Sequence, residues 1–400
     1  MPQNDHIYNC YAPPAEEFVR GEGVYLYTQD GEKYLDFVAG IAVNGLGHNH
    51  PALVGALTDQ AGKLWHLSNM FKVQGGLALA DKYCEATFAD KVFFTNSGAE
   101  AVECAMKTAR RCQFVEGHPE RYEIITCKGA FHGRTFATIN AGGNPKYLEG
   151  FGPALPGFIN VEFGDLDAIK AAITENTAAI LMEPVQGEGG VRALPVQFLK
   201  DVRALCDEHG LLLIYDEVQS GAGRTGKLFA HQWADGQADP DVMAVAKGMG
   251  GGFPMGACLA TGRAAEGMVV GTHGSTYGGG PLAMAVASAV FDELTDPGLM
   301  ANVNKVANYL SQQFERLKQD HPEVVEDVRG KGLLCGMKLK KKALDVRNLA
   351  RAHKLLVGNA GDNVLRLAPP LIISEDNVRE AIAILDKVFT EAKAMDDFEG

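Results

Sequence analysis

Three short stretches of this 400-residue chain carry groups suited to catalysis. Lys247 ends the apolar run "DVMAVA" and opens the glycine-rich "GMGGGF"; Asp216 ends "LLLIY"; Ser97 ends "KVFFTN" and opens "SGAEAVECAMKTAR". A lysine or aspartate behind an apolar strand is costly unless it has a partner or a task. A desolvated lysine loses its charge readily, so its amine becomes a nucleophile. An aspartate in that position reads as a salt bridge, a helix cap or the counter-ion of a protonated ring nitrogen. Metal ligation is a fourth reading, but no histidine adjoins Asp216 and Glu217. Ser97 and Glu100 have the spacing of a capping box. Around it, the amides of Gly98 and Ala99, the Ser97 hydroxyl and the positive helix end read either as an ordinary helix start or as a phosphate cup.

Each motif alone is weak, and their placement at the ends of strands strengthens the set. An open α/β sheet binds its ligands beyond the carboxyl ends of its strands. A phosphate cup, a buried aspartate and a nucleophilic lysine there describe a pyridoxal phosphate site. The lysine joins the aldehyde as an imine, the acid keeps the pyridine protonated, and the glycines leave room for a flat ring. "GMGGGF" is not a dinucleotide fingerprint, because no clear helix follows it.

The elements that must position these groups follow from the pattern of apolar runs. Strands are predicted at 91–96, 122–127, 177–184, 211–217 and 241–247, with helices over about 98–115 and 196–208 between them. That alternation implies an α/β fold with a mostly parallel sheet covered on both faces. Residues 23–37 read as a hairpin turning at Asp30-Gly31. Beyond about residue 300 come a helix, strands at 332–339 and 364–369, and a final amphipathic helix over about 375–393. The expected division is an N-terminal segment 1–51 contributing to a small domain, a large α/β domain over 52–295, and a small α+β domain over 296–400.

Composition narrows the function classes. The chain has 37 basic and 50 acidic residues, a net charge of −13, which argues against nucleic acid or an anionic membrane as a partner. Glycine is frequent, 47 of 400, and clusters at the ends of apolar runs, where backbone approaches a ligand or another chain. The eight cysteines show neither C-x-x-C spacing nor histidines completing a zinc pattern, so they read as reduced thiols and no metal is expected. No signal-peptide core and no membrane-length apolar stretch is present, so a soluble cytoplasmic protein is expected.

At these residues the sequence resembles the class III, ornithine-type, pyridoxal phosphate aminotransferases. The resemblance spans about residues 18–387. It rests on "NSGAEAVECAMKTAR" (96–110), "FHGRT" (131–135), "EPVQGEGG" (183–190), "DEVQSGAGRTGKLFA" (216–230), "AKGMGGGFPMGA" (246–257), "GSTYGG" (274–279) and "LRLAPPLIIS" (365–374). It implies fold type I and a homodimer with shared active sites. The segment 34–51 points to the branch that moves the δ-amine of N-acetylornithine to 2-oxoglutarate in arginine biosynthesis. The same chemistry on another ω-amine (succinylornithine, ornithine, 4-aminobutyrate or succinyl-diaminopimelate), another pyridoxal phosphate reaction, and a non-catalytic homodimer remain as alternatives.

The resemblance also assigns roles. Lys247 is the residue that carries the cofactor, and Asp216 pairs with its ring nitrogen. Phe131 and Val218 sandwich the ring, and Gln219 meets its phenolic oxygen. Ser97, Gly98 and Ala99 hold the phosphate, joined by Thr276 of the other subunit. Arg134 binds the carboxylate distant from the reacting amine, Arg366 binds the α-carboxylate of glutamate or 2-oxoglutarate, and Ser275 belongs to the substrate set. Glu188 neutralises Arg366 when the amine donor has no carboxylate to offer there. His132 supports its loop. Two departures stand out: "YNCYAPP" (8–14) lacks the arginine that the branch usually carries near its start, and Gly280 replaces an asparagine before Pro281.

Overall fold

In the computed structural model, which describes residues 6–73 and 75–398, a seven-stranded sheet forms the centre. Its strands lie in the order Lys91–Thr95, Gly256–Ala260, Val242–Ala246, Leu212–Asp216, Thr177–Met182, Glu123–Cys127, Phe158–Val161. All neighbours are parallel except where Gly256–Ala260 runs antiparallel between Lys91–Thr95 and Val242–Ala246. The near-continuous apolar runs have a simple cause: both faces are covered. Leu213, Tyr215, Met243 and Val245 enter one core, while Leu212, Ile214, Val242 and Ala244 enter another on the opposite face, as the two-residue period requires.

The strands predicted from sequence form within a residue or two of their expected ends, and the helices appear as Gly98–Val115 and Val196–His209. The hairpin also forms: Tyr25–Thr28 pairs antiparallel with Lys33–Asp36, and Gly31 takes φ +87° in the turn. Two strands of the central sheet escaped the sequence reading, Phe158–Val161 and Gly256–Ala260. The second matters for the site. It pairs Ala246 with Gly256 and Gly256 with Thr95, so the strands that precede Lys247 and Ser97 end on either side of Gly256. A Cβ on Gly256 would lie 2.7 Å from both the Ser97 carbonyl and the Thr95 hydroxyl, so only glycine lets these backbones meet.

A third core joins the long helix Pro297–Asp320, the final helix Glu375–Ala392 and the antiparallel sheet containing Val325–Lys331, Leu334–Leu339 and Val364–Leu367. The N-terminal strands make their own sheet, to which Leu355–Leu356 adds in parallel. Between them and the central sheet, Ala39, Gly40, Ile41 and Ala42 all have positive φ, a left-handed turn that non-glycine residues rarely adopt. Among the described residues, no helix is long and apolar enough to cross a membrane.

Candidate active site

The carboxyl ends of the central strands surround a cavity of about 390 Å³ lined by Ser97, Gly98, Ala99, Phe131, His132, Arg134, Asp216, Val218 and Lys247. At its base, Ser97 caps the helix Gly98–Val115. Its hydroxyl oxygen accepts from the Glu100 amide at 3.3 Å, and Glu100 in turn accepts from the Asn96 amide at 2.9 Å. The first backbone bond into the helix comes from Ala101 to the Ser97 carbonyl. The amides of Gly98 and Ala99 precede it, and at a helix start such groups are left for an anion. Gly98 must be glycine for a tertiary reason: a Cβ there would sit 2.8 Å from a Val218 methyl.

Asp216 ends its strand and is 3% exposed. One carboxylate oxygen accepts from the Val218 amide at 3.0 Å; the other lies 2.7 Å from Nδ1 of His132, whose side chain has no solvent exposure. His132 Nε2 is buried with no hydrogen-bond partner among the described residues. Glu183, fully enclosed next to this pair, accepts from the Phe131 amide at 3.3 Å. Burial, then the nearby Asp216 charge, pushes the Glu183 carboxyl well above its usual range. Clustering of two carboxyl groups in a buried place shifts Glu183 toward its neutral form.

Lys247 stands directly after Val242–Ala246, with φ +49°. A non-glycine residue in this region carries strain that the surrounding structure must hold. Burial lowers its amine below the ordinary lysine value, outweighing the opposing pull of Glu188, Asp216 and Glu183. The side chain thus favours the neutral amine that a nucleophile or proton carrier requires.

Two arginines face this region in different states. Arg366, 4% exposed on its strand, donates to Glu188 in a short contact and to Gln219 Oε1 at 3.1 Å. Gln219 also donates to Glu188 at 3.3 Å. Burial pushes the Glu188 carboxyl up, but the charge and hydrogen bond of Arg366, with help from Lys247 and Gln219, hold it below its usual value. Arg134 is different. Among the described residues no carboxylate pairs with it; its guanidinium lies 3.8 Å from the Tyr147 ring centroid and 5.4 Å from that of Phe131. A second cavity of about 960 Å³ continues outward from Phe131, Arg134, Glu188 and Lys247.

The fold thus gathers most of the residues singled out from the sequence. Ser97, Gly98, Ala99, Phe131, Arg134, Asp216, Val218 and Lys247 line one cavity, and Glu188, Gln219 and Arg366 form a cluster beside it. Ser275 and Thr276 line neither cavity: Ser275 Oγ accepts from Asn96 at 3.2 Å, and Thr276 is exposed. Glu183 and Tyr147 were missed. The signal for Glu183 was present, since it too follows an apolar strand. Tyr147 gave none, because its approach to Arg134 depends on the turn around Gly143. Among the described residues no group of three or more histidine, cysteine or acidic side chains could hold a metal ion.

The donor set fits pyridoxal phosphate. A helix start offers free amides, a glycine admits Val218 close to the cup, an enclosed carboxylate faces the cavity, and an uncharged-leaning lysine completes it. Comparison with known proteins agrees. The acetylornithine aminotransferase of Mesorhizobium japonicum is 57% identical over 391 residues, covering 98% of this chain and 97% of its own. The N-acetylornithine aminotransferase structure from Stenotrophomonas maltophilia superposes with a TM-score of 0.83 at 39% identity, covering 95% of this chain and 96% of that one. The ornithine aminotransferase of Toxoplasma gondii, with pyridoxal phosphate partly occupying its active site, gives 0.92 at 30% identity, covering 97% and 92%. The family model for class-III aminotransferases matches residues 10–389, and the chain belongs to that family.

Proposed function

We propose that the protein transfers the δ-amine of N-acetylornithine to 2-oxoglutarate, giving N-acetylglutamate 5-semialdehyde and glutamate. The observation that carries this reading is the contrast between two arginines. Among the described residues Arg134 has no carboxylate partner, whereas Arg366 is already neutralised by Glu188. A donor with one carboxylate, far from its reacting amine, needs only the open arginine. An oxo acid with carboxylates at both ends needs both, and opens the second by displacing Glu188. The names of the similar proteins support the same substrate.

Bound pyridoxal phosphate supplies an electron sink for the carbon bearing the transferred nitrogen. In this reading Gly98 and Ala99 offer amides to its phosphate, Asp216 faces its ring nitrogen, and Phe131 and Val218 confine the ring. His132 orients Asp216. Lys247 Nζ takes a proton from the substrate carbon and would deliver it to the cofactor carbon that keeps the nitrogen, a role suited to an amine whose charge is easily lost. Arg134 fixes the distance between the donor carboxylate and Lys247.

The molecule in this reading is a cytoplasmic homodimer in which Thr276 reaches the partner's phosphate cup. Its exposure and its position outside its own cavity support that arrangement. The decisive measurement is the visible absorbance of the holoenzyme. N-acetylornithine alone should bleach it and 2-oxoglutarate should restore it, while Lys247→Ala should turn over neither. Bleaching only by a different ω-amine would retain the chemistry and reject the substrate.

A further inference from the structure

The outer cavity is larger and more apolar than an acetyl group needs. Beyond Arg134 its wall is built from Ile41, Phe136, Ile139 and Phe151, with Cys10 and Tyr11 at the rim. Phe136, Phe151 and Ile41 are exposed in the single chain, and all three line this cavity. Ile41 is the most telling. Its φ of 64° and ψ of 61° are those of a left-handed residue, which a β-branched side chain adopts only under strain. The turn buries Ala39 and Ala42 and leaves Ile41 on the cavity. Strain held at a cavity wall is a mark of use.

The charges in this cavity set the pose of a donor. Its ω-amine must reach Lys247 and its carboxylate Arg134, so the substituent on the α-nitrogen is left facing the outer wall. Among the described lining residues the sole carboxylate is Glu188, which Arg366 already holds. A free α-ammonium finds no counter-charge there, whereas an acyl group finds apolar contact.

Resting on the reading above, we infer that the donor site accepts ornithine whose α-nitrogen carries an acyl group larger than acetyl and apolar, with N-benzoylornithine as the representative. The transfer balances without an outside oxidant. The donor CH2–NH2 becomes an aldehyde, and the C=O of 2-oxoglutarate becomes the CH–NH2 of glutamate. Aromatic acyl groups suit Phe136, Phe151 and Tyr11 because ring edges and faces attract one another.

The test compares kcat/KM of the holoenzyme for N-benzoyl-, N-acetyl- and unsubstituted L-ornithine, each with 2-oxoglutarate. The benzoyl donor should match or exceed the acetyl donor, with free ornithine far below both. In Phe136→Ala/Phe151→Ala the benzoyl-to-acetyl ratio should fall about tenfold, the loss expected for exposing part of one ring. A ratio is insensitive to any loss of active protein. Benzoyl turnover below a tenth of acetyl turnover would overturn the inference, as would a ratio unchanged in the double variant, the result if a second copy of the chain covers this wall. Failure of N-acetylornithine itself would instead reject the underlying reading.

Discussion

Removing Glu188 should make the oxo acid bind more tightly and the donor react less well. Arg366 and Glu188 are in contact with side chains 4% and 28% exposed, so their attraction is only partly screened. At an effective dielectric near 20, opposite charges ~4 Å apart interact by about 4 kcal/mol. A substrate carboxylate that takes Arg366 forfeits part of that attraction before gaining its own. With Gln219 Oε1 remaining as a partner at 3.1 Å, the recoverable part is about 1.5–3 kcal/mol, that of a hydrogen bond to a charged group. Glu188→Ala should therefore lower KM for 2-oxoglutarate by about ten- to a hundredfold. The unopposed guanidinium should also draw the donor carboxylate away from Arg134 and reduce kcat/KM for the amine. Single half-reactions followed by cofactor absorbance separate the two effects. The pH dependence has a fixed sign. Because the Glu188 carboxyl is held below its usual value, the pair persists at neutral pH and is lost only as pH falls through that lowered value. KM for 2-oxoglutarate in the parent enzyme should then fall toward that of the variant. A KM unchanged or raised by Glu188→Ala would refute the idea that the two carboxylates compete for one arginine.

Other perturbations probe the rest of the site. Tyr147→Leu removes the ring 3.8 Å from Arg134 and should raise donor KM about three- to thirtyfold at similar kcat; Tyr147→Phe should restore it, and no rescue would show that ring stacking is not what places the guanidinium. Gly98→Ala puts a Cβ 2.8 Å from Val218, whose amide is tied to Asp216 at 3.0 Å. Overpacking of that kind costs about 1–3 kcal/mol, so cofactor affinity measured by equilibrium dialysis should weaken at least several-fold. Capture of added pyridoxal phosphate by the cofactor-free protein should rise with pH and level off below the ~10.4 of a solvated lysine, because burial lowers the amine of Lys247. A plateau at the ordinary lysine value would contradict that account.

Features set by neighbours in the chain were legible from residues alone. The fully buried strands show as apolar runs because both faces meet side chains. Ser97 shows as a helix cap because its hydrogen bond from the Glu100 amide is local, although the Glu100 side chain takes the Asn96 amide and not that of Ser97 as a full capping box would, and Lys247 and Asp216 stand out because charge after such a run is anomalous. The roles given to Arg134, Arg366, Glu188 and Gln219 came from a family resemblance, since nothing in their spacing announces them. Nothing local announces the left-handed turn at Ala39, Ile41 and Ala42, whose residue types disfavour the backbone they adopt.

The sequence by itself determined a mostly parallel sheet, five of its seven strands in chain order and the groups delivered to its carboxyl edge, because burial pattern and helix capping act within a few residues. Tertiary structure decided which groups meet. His132 reaches Asp216 across 84 positions, and Arg366 reaches Glu188 across 178. The antiparallel strand Gly256–Ala260 brings the Lys247 strand beside the phosphate cup. Which arginine is open and which is closed follows from those long-range contacts. They depend on how buried charges are shared among partners brought together only when the chain has folded.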